Sequence, residues 1–120
     1  MTKNLLIKVT TGAEAAERCN QAFTVAATAV SAGAQVSLWL TGEAAWFAVP
    51  GKAEEFSLPH AAPLADLLAA VLAGGKVTLC TQCAVRRNIG ESDVLDGIVI
   101  AGSPSFVEEA LADDAQALVY

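Results

Sequence analysis

The stretch that decides the fold lies near the start of the chain: Asn4-Leu-Leu-Ile-Lys-Val-Thr10, then Thr11-Gly12, then an Ala-rich segment over residues 13–32 that stops at Gly33. The first part is short, apolar and partly β-branched, which predicts a buried strand that leads into a turn. In residues 13–32 polar side chains recur at spacings of three and four, which predicts an amphipathic helix. The sequence therefore opens with a strand, a turn and a helix.

The same alternation continues along the chain. Further strands are predicted over residues 35–40, 76–79, 98–101 and 117–120, and helices over residues 43–49, 63–75 and 104–111. The strands are continuous apolar runs, which is typical of parallel strands covered on both faces. The prediction is an α/β fold: a doubly wound, flavodoxin-like or Rossmann-like parallel sheet of about five strands with helices on both faces. A single domain over residues 1–120 is expected.

Composition excludes several classes of protein. The chain has 120 residues, of which 54% are apolar and 17% charged, and its net charge is −6. Such an apolar chain is not intrinsically disordered, and its negative charge disfavours direct nucleic-acid binding. The apolar content exceeds what a lone globule of this size easily hides, so a homo-oligomer is expected.

The compartment follows from targeting signals and cysteines. The first apolar run is too short for a signal peptide, and the weakly polar stretch over residues 61–74 is too short to cross a bilayer. Three cysteines are an odd number and too few for a secreted disulfide scaffold. A soluble protein of the reducing cytoplasm, with no membrane partner, is predicted.

The carboxyl ends of the strands form the edge at which doubly wound folds place ligands and chemistry. Four segments fall there: Thr10-Thr11-Gly12, Thr41-Gly42-Glu43, Cys80-Thr-Gln-Cys83 and Gly102-Ser103. Only the third carries a nucleophile stronger than a hydroxyl. Trp46 follows the second strand, where it is expected to form a wall over the cysteines, a lid or a subunit contact.

Cys80 and Cys83 are predicted at the start of a helix, where free backbone N–H groups favour a thiolate, and Arg86 and Arg87 add positive charge one turn later. Three interpretations compete: a nucleophilic or persulfide-carrying thiol, half of a metal site, or two buried apolar residues. A zinc site lacks ligands, since His60 is the single histidine. Neither a dinucleotide turn nor a P-loop is present, so no cofactor is expected.

The segment Val77-Thr-Leu-Cys80-Thr-Gln-Cys83-Ala-Val-Arg-Arg87-Asn-Ile89 resembles the thiol motif of the DsrE/DsrF-like family, also called YchN-like. The turns at Thr11-Gly12 and Thr41-Gly42 also fit. Asn88 stands where the family usually has Gly. After Gly, Asn is the residue that most readily adopts a left-handed backbone conformation.

This resemblance implies a subunit of a homotrimer or hexamer that handles sulfur. By the Arg spacing, Cys80 corresponds to the cysteine that accepts sulfane sulfur as a persulfide from a donor protein and passes it to an acceptor protein. Cys83 is then a resolving or accessory thiol. Two alternatives stay open: a thiol–disulfide switch, and a non-enzymatic oligomeric module with structural cysteines. No general acid or base is identifiable, so enzymatic turnover is not assigned.

Overall fold

A computed structural model describes residues 3–120 of the chain. Five parallel strands form one sheet in the order β4-β3-β2-β1-β5. The strands are β1 Asn4–Val9, β2 Gln35–Leu40, β3 Lys76–Cys80, β4 Ile98–Ala101 and β5 Ala115–Val119. The α/β prediction with about five parallel strands is therefore confirmed.

Four α-helices connect the strands. They are α1 Ala16–Ser31, α2 Leu64–Gly74, α3 Thr81–Arg86 and α4 Ser103–Ala110. Short 3-10 helices occupy Ala13–Ala15, Gly42–Ala48, Ala53–Glu55 and Glu91–Asp93. Among residues 3–120, no helix is both long and apolar enough to cross a membrane.

The two faces of the sheet are covered differently. Helix α1 packs against α2, β1 and β2, and α2 packs against β2 and β3, so this face holds most of the apolar core. Helix α4 covers the opposite face, where Phe106 meets Trp39 edge-on with ring centroids 5.3 Å apart. The carboxylate of Glu109 accepts hydrogen bonds there from Ser37 and Trp39 and pairs with Lys76. This short helix thus contacts side chains of two strands, β2 and β3.

The predicted boundaries shift by two or more residues at two elements, α1 and β5, and by at most one residue at the others. Helix α1 was expected from residue 13 but begins at Ala16, because the N–H of Ala15 bonds to the carbonyl of Gly12 and tightens the first turn into a 3-10 helix. Strand β5 was expected from residue 117 but begins at Ala115, which pairs with Asn4 of β1. Pairing with a neighbouring strand, rather than local hydrophobicity, sets where this edge strand begins.

Candidate functional site

Cys80 is the last residue of β3 and the N-cap of α3. Its side chain is partly exposed, whereas Cys83 in the first turn of α3 is buried at 7% exposure. Within the described chain, the side chain of Cys80 forms no capping hydrogen bond. The N–H groups of Cys83 and Gln82 are nonetheless close enough to stabilise negative charge on its sulfur.

The surroundings of Cys80 favour its ionised form. Partial burial acts to raise the pKa of its thiol. The N–H of Cys83, a hydrogen bond from the Cys83 thiol, the N–H of Gln82 and the charge of Lys8 outweigh that effect, so the pKa lies below the ordinary cysteine value. Because the thiolate is the nucleophilic form, Cys80 is the better nucleophile of the pair.

Cys83 behaves in the opposite way. Burial raises the pKa of its thiol, and although the N–H of Gly42 and the charge of Arg87 act to lower it, its contact with Cys80 adds to the rise. The N–H of Gly42 donates a hydrogen bond to the Cys83 sulfur over 3.2 Å. At neutral pH Cys83 is thus a protonated thiol beside a more acidic neighbour.

The two arginines have different environments. Arg87 donates from Nε and Nη2 to the Glu43 carboxylate, at 3.0 and 2.7 Å, and from Nη1 to the carbonyl of Cys83 at 3.1 Å. Its charge is therefore balanced by Glu43, and the pair ties α3 to the segment after β2. Arg86 is exposed. Asn88, which follows them, has φ +56, so the predicted left-handed backbone is confirmed.

Thr11, Gly12 and Gly42 place two loops in contact beside the thiols. Gly42 has φ +54, and a Cβ there would overlap the carbonyl oxygen of Thr10. A Cβ on Gly12 would lie 2.9 Å from the carbonyl oxygen of Glu43. Both positions therefore need glycine. The hydroxyl of Thr11 is buried and has no hydrogen-bond partner among residues 3–120.

Trp46 lies in the 3-10 helix Gly42–Ala48 that follows β2. It is half-buried and lines an open pocket of about 350 Å³ with Phe47, Phe56 and the carboxylate residues Glu14 and Glu43. Neither Cys80 nor Cys83 lines this pocket in the described chain. A role for Trp46 at the thiol site stays a prediction.

Lys8 is a residue of the site that sequence reasoning missed. It interrupts the apolar run of β1, and its Nζ lies 4.5 Å from the centroid of the Phe106 ring on the face covered by α4. Its charge contributes to the lowered pKa of Cys80. The sequence signal for it was a single charged residue inside a buried strand. Burying a charge costs free energy unless the charge interacts with another group.

The third cysteine lies apart from this site. Cys19 is fully buried on α1, and burial together with the charge of Glu14 raises the pKa of its thiol to about 12. In residues 3–120, no three His, Cys, Asp or Glu side chains are grouped so that they could hold a metal ion. Cys80 and Cys83 supply two of the four ligands that a closed zinc site needs.

The sequence pattern of the DsrE/DsrF-like family matches residues 3–118. The uncharacterized protein MJ0760 of Methanocaldococcus jannaschii is 31% identical over 104 residues, which are 86% of this chain and 38% of that protein. The chain thus spans about two fifths of the length of this relative.

Solved structures share the fold. The ychN protein from E. coli has a TM-score of 0.80 at 18% identity and is covered over 100% of both chains. The protein of unknown function MTH1491 from Methanobacterium thermoautotrophicum has a TM-score of 0.68 at 6% identity, with 98% of this chain and 99% of that chain covered. At these identities the likeness shows the fold alone. From the match over residues 3–118, the chain belongs to the DsrE/DsrF-like family.

Proposed function

We propose that this protein is a sulfur carrier in which Cys80 accepts sulfane sulfur as a persulfide and passes it to an acceptor. The observation that carries the proposal is the contrast within one motif: Cys80 is partly exposed with a lowered pKa, and Cys83 beside it is buried with a raised pKa. Membership of a family associated with sulfur relay agrees with this chemistry. The acceptor is proposed to be a partner protein.

The transfer balances without a cofactor. The Cys80 thiolate attacks the outer sulfur of a donor persulfide, R–S–SH, so that a new S–S bond forms while the donor S–S bond breaks. The donor leaves as the thiolate R–S⁻, and Cys80 holds the sulfur as Cys80–S–SH. An acceptor thiolate then attacks that outer sulfur, and Cys80 returns to its thiolate form.

Intact mass after incubation with a persulfide donor tests this proposal. Wild type is expected to gain one sulfur atom that a reducing agent removes, and Cys80→Ser is expected to gain none. Cys83→Ser is the matched control, because it keeps the nucleophile and is expected to gain the sulfur. A wild type without added sulfur, or equal gain in Cys80→Ser, contradicts the proposal and leaves the non-enzymatic module as the better account.

A thiol–disulfide switch is the second candidate, favoured by the mutual effect of the two neighbouring thiols on their pKa values. Here Cys83 attacks the sulfur of Cys80 after an external disulfide has oxidised it, and a Cys80–Cys83 disulfide forms as the reduced reagent leaves. Mild oxidation with oxidised glutathione should then remove two hydrogens from the mass of wild type and none from Cys83→Ser. Persistent mixed disulfide in wild type contradicts the switch.

We also propose that the working form is a homotrimer or hexamer. The support is apolar surface near α4 and β5: Leu111 is 79% exposed and Val119 65%. Such side chains favour burial against another subunit. Sedimentation should give a trimer or hexamer for wild type and smaller species for Val119→Glu, while a monomeric wild type contradicts this.

A further inference from the structure

We infer that Lys8 is a positioning residue that makes Cys80 selective for sulfane donors carrying negative charge, of the class of low-molecular-weight persulfides with carboxylate groups. This inference rests on the proposed function of Cys80 and adds the class of donor to it. Two observations support it: the position of Lys8 on the sheet, and the contact of its ammonium group with an aromatic ring instead of a carboxylate.

Lys8 lies on the same face of the sheet as Cys80. Through the strand register it is in one row with Trp39 and Thr78, and Cys80 follows Thr78 by two residues. Two strand spacings across and two residues along place the Cα atoms of Lys8 and Cys80 about 12 Å apart. A lysine side chain covers about half of that distance, and the Lys8 charge is one of the causes that lower the pKa of Cys80.

The charge of Lys8 is not neutralised by a carboxylate. Lys76, on the same face, pairs with Glu109 at 3.5 Å, and Lys52 lies 3.9 Å from Glu55. Lys8 forms no ion pair among residues 3–120, and its ammonium group lies instead against the face of Phe106 at 4.5 Å. An aromatic ring fixes the position of a cation but leaves its charge available to an incoming anion.

The charge of Arg87, the other cation that affects the thiols, is partnered differently. Arg87 is bound to Glu43 and to the carbonyl of Cys83, so its charge is already paired with a carboxylate. On the Cys80 side, the start of α4 meets the start of α3, since a Cβ on Gly102 would lie 3.8 Å from Oγ1 of Thr81. Lys8 therefore adds charge to a space bounded by the first turns of two helices.

This charge acts on both partners of the transfer. It attracts a donor that bears carboxylates, and it stabilises the thiolate R–S⁻ that leaves when the donor S–S bond breaks. Lys8 is half-buried, and the chain as a whole has a net charge of −6, which repels large acidic surfaces. A small acidic donor fits this setting better than an acidic protein surface.

The direct test compares two alkylating reagents on Cys80, anionic iodoacetate and neutral iodoacetamide, with the modified peptide quantified by mass spectrometry. The ratio of their rates should fall about fivefold in Lys8→Met and return towards wild type in Lys8→Arg. Lys76→Met is the matched control on the same face and should leave the ratio unchanged. A ratio that is the same in wild type and Lys8→Met overturns the inference.

A ratio on one protein cancels general losses of accessibility or folding, and Lys8→Gln repeats the test with a polar side chain. A second comparison uses sulfur uptake from glutathione persulfide, which carries carboxylates, and from cysteamine persulfide, which carries an amine. Wild type should favour the first donor, and Lys8→Met should lose that preference.

The two tests separate the two claims. Sulfur uptake with a rate ratio that ignores Lys8 overturns this inference and leaves the proposed function standing. A ratio that depends on Lys8, in a protein that takes up no sulfur, supports charge selectivity at Cys80 and contradicts the proposed function.

Discussion

Cys19 on α1 and Cys80 at the junction of β3 and α3 carry the same thiol in opposite surroundings. Cys19 is fully buried, and its pKa is raised to about 12 by burial and by Glu14. Cys80 is partly exposed, and backbone N–H groups, the Cys83 thiol and Lys8 lower its pKa against the effect of partial burial. Residue type alone therefore does not identify a reactive cysteine.

The difference has a structural origin. Helix α1 lies with α2 over the apolar face of the sheet, where a thiol meets side chains that cannot stabilise charge. Cys80 lies where a strand gives way to a helix, and such a position supplies N–H groups that have no partner inside the helix. The sheet edge thus provides N–H groups that stabilise a thiolate, and the apolar core does not.

The largest expected effect is the response of the two thiols to alkaline pH. Since the pKa of Cys19 rises from 9.0 to about 12 on folding, its contribution to stability is complete below pH 9 and is lost as the pH rises towards 12. The free energy of unfolding of wild type should fall relative to Cys19→Ala by about 1.4 kcal/mol per pH unit in that window.

The pKa of Cys80 is lowered on folding, so the sign is reversed. Its ionisation adds stability as the pH rises towards the ordinary cysteine value, and wild type should gain relative to Cys80→Ala over that range. Urea unfolding at a series of pH values measures both differences. Parallel curves for wild type and Cys19→Ala contradict the first expectation.

The next largest effect concerns the loop that supports Cys83. Gly42→Ala should lower the free energy of unfolding by about 3 kcal/mol, because it adds a strained left-handed Ala and a clash with the carbonyl of Thr10. Gly51→Ala is the matched control: Gly51 has φ +87 with nothing within 4 Å of an added Cβ, so about 1 kcal/mol is expected. Equal losses in the two variants, by urea unfolding, speak against the proposed close approach.

A serine scan of the cysteines sharpens the comparison further. Cys19→Ser should cost about 2 kcal/mol, because it places a hydroxyl in an apolar site. Cys80→Ser should change stability by less than about 0.5 kcal/mol, since the site is partly exposed and serine is a favourable N-cap. Thermal or urea unfolding of both variants decides the matter, and a larger loss at Cys80 than at Cys19 is the contrary result.

The smallest effect is expected at the arginine pair. Arg87→Ala should lower the free energy of unfolding by about 1 kcal/mol, because it removes the contacts with Glu43 and with the carbonyl of Cys83. Arg86 is exposed, so Arg86→Ala should have no measurable effect. Indistinguishable unfolding curves for the two variants would show that the contacts of Arg87 with Glu43 and Cys83 do not stabilise the fold.

Much of the fold was predictable from local pattern. Strand β2 at Gln35–Leu40 and strand β4 at Ile98–Ala101 have the predicted bounds, because short apolar runs between turn residues specify buried parallel strands. The bounds of β5 were wrong at its start, because its pairing with β1 depends on a partner more than a hundred residues away. Local sequence carries no such information.

The site was predictable in part. The position of Cys80 at the end of a strand followed from the alternation of elements, and the left-handed backbone of Asn88 followed from the resemblance to a family that usually has Gly there. Lys8 was missed, because its contact with Phe106 joins β1 to α4 across the sheet. The contacts of Arg87 with Glu43 likewise depend on the folded chain.

The rate of alkylation of each cysteine by iodoacetamide across a pH series, resolved peptide by peptide, tests the central claim most directly. Cys80 is expected to react first, with a midpoint below the ordinary cysteine pKa, Cys83 only at higher pH, and Cys19 only when the chain unfolds. A midpoint for Cys80 at or above that of Cys83 contradicts the assignment of Cys80 as the reactive thiol.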